Sequence, residues 1–183
     1  MTSTLGYALL GLLAREPATG YDLARMLRRP VGYFWSAGHS QIYPELARLE
    51  GAGLVRHTVV EGAGPRATKR YRVTALGRRD VRAWLLATTA EVDEREVLLR
   101  VYLLFVLSPA EAVGVVEAIR GHHRSTLQHY RGIALDDSPQ DWGPDLVERA
   151  TLRWGIAFEE GRLAWCDDLL TTITGLVPPA ARP

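Results

Sequence analysis

The sequence predicts a mainly α-helical protein with one small β-hairpin, organised in two parts. Three observations carry this. Apolar residues recur at helical spacing over most of the 183 residues. One segment, residues 54–74, changes to β-branched residues with partial alternation around a Gly-rich turn. The charge also divides: residues 1–88 hold 13 Lys and Arg against 6 Asp and Glu, and residues 89–183 hold 9 against 15. A basic half attracts a polyanion and an acidic half avoids it.

Leu5, Ala8, Leu9, Leu12 and Leu13 share one helical face, which predicts a helix over 3–14. Residues 15–18, Arg-Glu-Pro-Ala, break it. Thr19 offers a capping oxygen with Asp22 three residues on, the start of a short helix over 20–29. The aromatic run Tyr33-Phe34-Trp35 lies in a partly buried loop. A third helix, about 40–51, buries Ile42, Leu46 and Leu49 and stops at Gly51-Ala52-Gly53. Pro44 belongs in its first turns, where a missing N–H matters least.

Residues 54–60 read as a strand, 61–65 (Glu-Gly-Ala-Gly-Pro) as a turn, and 69–74 as the returning strand. A fourth helix runs from Thr74 to about Ala87 with Val81, Trp84 and Leu85 inward. Leu98, Val101, Tyr102 and Phe105 mark one further helix. Ser108-Pro109-Ala110-Glu111 is a strong start signal for a helix to about Arg131. Asp136-Asp137-Ser138-Pro139 breaks the chain, and Pro144 opens a long final helix to about Thr174.

Three short helices followed by a Gly-rich hairpin make a winged helix-turn-helix. The expected organisation is a DNA-binding domain over 1–88, an antiparallel helical dimerisation and effector domain over 89–176, and a flexible tail over 177–183. A helix of about 12 residues fits the major groove, where base edges present a distinct donor and acceptor pattern. On the third helix Gln41 can pair with adenine, Arg48 with guanine or phosphate, and Tyr43 can donate to a phosphate oxygen. Arg66, Lys69 and Arg70 surround the hairpin tip and suit phosphate or the minor groove. Lys69 is the only lysine; the other 21 basic residues are arginines. Alternatively, these charges are solvated faces and the winged helix serves ligand or protein binding without DNA.

Residues 4–86 resemble the PadR family of transcriptional regulators. The resemblance rests on Leu5-Gly6-Tyr7-Ala8-Leu9-Leu10-Gly11-Leu12-Leu13, Thr19-Gly20-Tyr21-Asp22-Leu23, residues 41–50 (Gln-Ile-Tyr-Pro-Glu-Leu-Ala-Arg-Leu-Glu), Gly53-Leu54-Val55 and residues 69–77 (Lys-Arg-Tyr-Arg-Val-Thr-Ala-Leu-Gly). Residues 90–175 are similar in layout to the helical domain of longer members. The resemblance implies a dimeric repressor on double-stranded DNA with a pseudo-palindromic operator. It carries over Gln41 and Tyr43 as recognition-helix contacts and Arg66, Lys69 and Arg70 as wing contacts. Some members respond to phenolic acids or hydrophobic drugs. A small aromatic effector is expected between the two parts, near some of the five tryptophans, but no ligand motif identifies it.

The final helix carries Trp154, Phe158, Gly161 and Trp165 along one broad face. This stripe is read as the homodimer interface, packed partly within its own chain. His122, His123 and His129 lack companions at metal-ligand spacing and read as solvent-exposed. Cys166 reads as a packed thiol. Nothing assembles a nucleophile, base and oxyanion site, so no enzyme, cofactor or metal is expected. The lone cysteine, the lack of a signal peptide and the lack of an apolar run of roughly 20 residues point to a cytoplasmic protein without a membrane segment.

Overall fold

The computed structural model describes residues 2–28, 39–60, 68–87, 93–133 and 143–176. Two compact units divide the chain at Ser108 and Pro109. The first contains α1 (Thr4–Arg15), β1 (Ala18–Thr19), α2 (Gly20–Arg28), α3 (His39–Gly51), β2 (Val55–Val60), β3 (Thr68–Val73), α4 (Ala75–Leu86) and α5 (Glu94–Tyr102). A 3-10 turn, Leu104–Val106, follows α5. The second unit contains α6 (Pro109–Arg131) and α7 (Pro144–Leu176).

Helix α1 is the centre of the first unit. Its residues from Ala8 to Leu13 are all buried, as expected of a helix that is apolar all round. Around it lie Leu23 of α2, Ile42, Leu46 and Leu49 of α3, Val81 and Leu85 of α4, and Leu99 of α5, each fully buried. Burial of one such side chain contributes about 1.5–3 kcal/mol. Ser3 caps α1 by accepting from the Gly6 amide at 2.9 Å. Thr19 and Asp22 cap α2 reciprocally: Thr19 Oγ1 accepts from the Asp22 amide at 3.1 Å, and Asp22 Oδ2 accepts from the Thr19 amide at 3.3 Å.

The sheet is antiparallel in the order β1-β3-β2. Strand β1 is a correction to the sequence reading, which takes this stretch only as a helix break. Ala18 pairs with Tyr71 and Thr19 with Arg70, so the break is also a third strand. In the hairpin Val55 faces Val73, His57 faces Tyr71, and Val60 faces Thr68. The expected turn at 61–65 and Arg66 lie outside the described residues. So do Tyr33, Phe34, Trp35, Trp142 and the tail over 177–183.

The helix expected around Leu98–Phe105 ends at Tyr102. The Leu103 amide is shared between the carbonyls of Leu99 and Arg100, and the chain tightens into the 3-10 turn with Phe105 half exposed. Within this segment Leu99 and Arg100 are buried, rather than Leu98, Val101 and Tyr102.

In the second unit α6 and α7 run antiparallel. Tyr130 lies over Gly155, where a Cβ would meet its ring at 3.1 Å, and Arg120 reaches Asp167 at 3.0 Å. The face of α7 buried here is Gly155, Glu159, Cys166 and Leu170. His123 is a second correction: it is buried and its Nδ1 lies 2.7 Å from Glu159 Oε2, while His122 and His129 are exposed. Burial pushes the His123 pKa down, with Glu159 opposing. Among the described residues no helix is long and apolar enough to cross a membrane, and no group of three His, Cys, Asp or Glu could hold a metal.

Candidate nucleic-acid interface

The pattern of α3 decides what it can do. Ile42, Leu46 and Leu49 are buried at spacings of four and three, which fixes the helix against the core. The opposite side is left outward: Ser40, Gln41, Tyr43, Pro44, Ala47 and Arg48 are exposed. Gln41 and Tyr43 are both exposed near the start of the helix and flank the buried stripe, Gln41 on the side of Arg48 and Tyr43 on the side of Ala47. Tyr43 leans over the backbone of Gly20, where a Cβ would approach its ring to 2.6 Å. Any larger residue at Gly20 would push the tyrosine aside.

Two carboxylates tether α3. Glu45 accepts from Ser3 Oγ at 2.6 Å and grips Arg48 through Nε at 2.9 Å and Nη2 at 2.6 Å. Its carboxylate also lies against Gly6, in space a Cβ would occupy. Five residues on, Glu50 accepts from the His57 amide at 3.2 Å and meets His57 Nδ1 at 2.5 Å. Glu45 thus joins α3 to the start of α1, and Glu50 joins it to the wing. The hydrogen bonds from Arg48 and His57 hold the respective carboxyl groups below the usual carboxylate range. Arg48, singled out as a base or phosphate contact, is half-exposed but has its fork on Glu45.

The root of the wing is equally constrained. Gly53 adopts φ +71°, the left-handed conformation that ends α3, and the Leu54 amide returns to the Leu49 carbonyl at 2.9 Å. Thr74 Oγ1 caps α4 by accepting from the Gly77 amide at 3.1 Å and donates to the Gly53 carbonyl at 2.8 Å. Gly77 lies directly against the Leu54 carbonyl, with no room for a Cβ. The wing can therefore move only as far as the end of α3 allows.

Alternation separates the wing cations. Lys69 shares its face with His57, Tyr71 and Val73, the face that meets α3 and the core. Arg70 projects from the other face and donates to the Pro17 carbonyl through Nε at 3.3 Å and Nη2 at 3.2 Å. These neighbours in sequence project from opposite faces of the sheet. Arg56 and Arg72, which sequence reasoning passes over, stand on the Arg70 face. Strand register makes them visible: once β2 and β3 are paired, 56 and 72 are partners.

On α7 the predicted stripe stands outside the face buried against α6. Trp154 is 65% exposed, Trp165 37%, and a Cβ on Gly161 would meet nothing within 4 Å. Trp154 stacks on Phe158 at 4.9 Å, and the Arg162 guanidinium covers the other ring at 4.1 Å. Cys166, next in sequence, is buried, and burial raises its thiol pKa.

Comparison with known proteins gives a consistent picture. Residues 9–83 match the model described as "Transcriptional regulator PadR-like family". Residues 95–174 match "Virulence activator alpha C-term". The chain is 29% identical over 177 residues to the "Negative transcriptional regulator PadR" of Bacillus subtilis, covering 92% of this chain and 97% of that protein. It is 30% identical over 180 residues to the "Probable transcriptional regulator Rv1176c" of Mycobacterium tuberculosis, covering 90% and 95%. Among solved structures, Bacillus subtilis PadR in complex with operator DNA aligns at TM-score 0.48 and 28% identity, over 93% of this chain and 99% of that one.

Proposed function

We propose, from the premise that this chain belongs to the PadR-like family of transcriptional regulators, that it binds a pseudo-palindromic DNA operator as a homodimer and represses transcription until a small aromatic effector releases it. The family and the matched relatives are regulators of transcription, not enzymes. The single observation that carries the DNA reading is the exposed side of α3. Gln41 and Tyr43 are exposed on a helix whose buried side is locked by Ile42, Leu46 and Leu49 and which is tethered at its middle through Glu45 and near its C-terminal end through Glu50. A preorganised helix loses little freedom on entering a groove. Gln41 reads a base edge, Tyr43 donates to a phosphate, and Arg48, held in place by Glu45, contacts guanine or phosphate through its remaining N–H groups. Arg66, Lys69 and Arg70 serve as wing contacts.

The exposed apolar stripe on α7 supports the dimer. In the stripe of Trp154, Phe158, Gly161 and Trp165 the two indole rings are exposed, with half-buried Phe158 and a residue without a side chain between them, an arrangement suited to a second helix. Two copies would place two recognition helices about 34–36 Å apart, or a multiple of that, on one side of the duplex. The functional division into a DNA-binding part over 1–88 and a dimerisation and effector part over 89–176 belongs to this proposal. Exposed indole rings also suit a flat aromatic effector, which tryptophan fluorescence would report.

A gel-shift titration on the DNA upstream of the protein's own gene, with an excess of random duplex, tests the reading. Retained shift under competition supports it. Equal affinity for the upstream and random duplexes contradicts it.

A further inference from the structure

We infer that the outer face of the wing sheet is a second phosphate-binding surface, taking the backbone of duplex DNA beyond the groove that α3 enters. This rests on the DNA-binding reading above and extends the wing contact at Arg70 to Arg56 and Arg72, which are not among the contacts named there. Strand register places Arg56 opposite Arg72 and Thr58 opposite Arg70, all on the face turned away from Val55, Tyr71 and Val73. The three arginines are exposed and border one shallow depression with Pro17, His57 and Thr58.

Among the described residues these three arginines form no ion pair within 4 Å, whereas Arg25, Arg48, Arg100, Arg120 and Arg131 each meet a carboxylate within that distance. Arg70 is oriented by the Pro17 carbonyl, which directs its guanidinium without neutralising it. Asp22 feels the charge of Arg70, but its carboxylate is held by Thr19. Like charges directly opposite on antiparallel strands destabilise a sheet. An anion seated between Arg56 and Arg72 removes that repulsion.

The chemistry of the face selects the anion. Guanidinium forks match phosphate oxygens in pairs, and the Thr58 hydroxyl can donate a further bond. Three cations spread over two strands exceed what one small anion neutralises. Duplex DNA supplies a phosphate every 3.4 Å or so along each strand. The face is turned away from the side that meets α3, so its phosphates lie outside the base pairs that Gln41 reads. The DNA footprint is therefore longer than the recognition helices require.

The test compares the full-length wild type with Arg56→Gln/Arg72→Gln on two duplexes across a salt series. One duplex ends at the recognised site, and the other extends it by about one turn on each side. The wild type should bind the longer duplex more tightly and with the steeper log–log salt dependence. The variant should lose that excess, with the slope falling by about 0.9 for each phosphate contact removed, and should match the wild type on the short duplex. A control with the same charge change on α4, Arg78→Gln/Arg79→Gln, should keep the excess. Circular dichroism and the denaturation midpoint should show the variant as stable as the wild type or more so. A variant that keeps the full excess, or loses equally on both duplexes, overturns this inference alone. A wild type that binds neither duplex overturns the DNA-binding reading itself.

Discussion

Arg100 lies over the ring of Trp84, 4.5 Å from its centroid, and donates to the Trp84 carbonyl at 2.8 Å. The same Nη1 reaches the Ala87 carbonyl at 2.6 Å, while Nε and Nη2 grip Glu96 at 3.2 and 2.9 Å. Only 6% of Arg100 is exposed, and the other face of Trp84 stacks on Tyr7 at 4.5 Å. A buried cation thus satisfies the carbonyls left open at the end of α4 and fastens α5 to them.

Arg100→Met should therefore destabilise the first unit by about 2–3 kcal/mol, since it strands carbonyls and Glu96 together. Arg100→Lys should rescue little, because an ammonium cannot reproduce the fork or the flat stack on indole. Chemical denaturation followed by Trp84-sensitive fluorescence measures both. A loss below about 0.5 kcal/mol for Arg100→Met would contradict this role.

This contact also shows where the sequence was opaque. The start signals at Thr19, Thr74 and Ser108 are local, and the structure places helices at each of them. Gln41 and Tyr43 follow from α3 periodicity once Ile42, Leu46 and Leu49 are taken as core. Arg100 breaks the apolar pattern of α5 because the carbonyls that justify its burial are 13–16 residues away, so periodicity selects the wrong face. His123 hides for the same reason: Glu159 is 36 residues distant. The arginine face of the wing needs strand register, which composition does not contain. Strand β1 has two residues and no pattern of its own; only the pairing with Tyr71 and Arg70 defines it.

Gln41→Ala should weaken operator binding by about 1–3 kcal/mol and leave random-sequence binding unchanged. Gln41 is an exposed side chain on a helix fixed by its other face, so truncation leaves the fold intact. Equal losses on operator and random duplex would assign Gln41 to phosphate contact instead.

Acid should weaken the protein in two stages. Burial depresses the His123 pKa, against Glu159 and with Arg162 and His122 assisting. The unfolded chain then takes up this proton first, so stability falls as the pH drops below about 6.5. The carboxyl groups of Asp22, Glu45 and Glu50 are held low by Thr19, Arg48 and His57 respectively. Their contribution is present above the ordinary carboxylate range and is lost as the pH falls below about 4. Denaturation midpoints against pH test this. His123→Gln should remove the upper stage and keep the lower, and an unchanged upper stage would contradict the assignment.

Gly161→Arg should dissociate the proposed dimer without unfolding the chain. A Cβ at Gly161 meets nothing within 4 Å in the single chain, so the long charged side chain has room there and none between two helices. Sedimentation equilibrium should show a monomer, and operator affinity should fall because the two half-sites are no longer held together. A variant that stays dimeric places the interface elsewhere.

Selection of fragments from the source genome by the purified full-length protein tests the central claim most directly. A dimeric reader should enrich a short set of fragments sharing an inverted repeat, with half-site centres about one turn of DNA or a multiple apart and two protomers bound per site. Fragments retained without any shared sequence, or no retention at moderate salt, would contradict a dimeric, sequence-specific DNA-binding regulator.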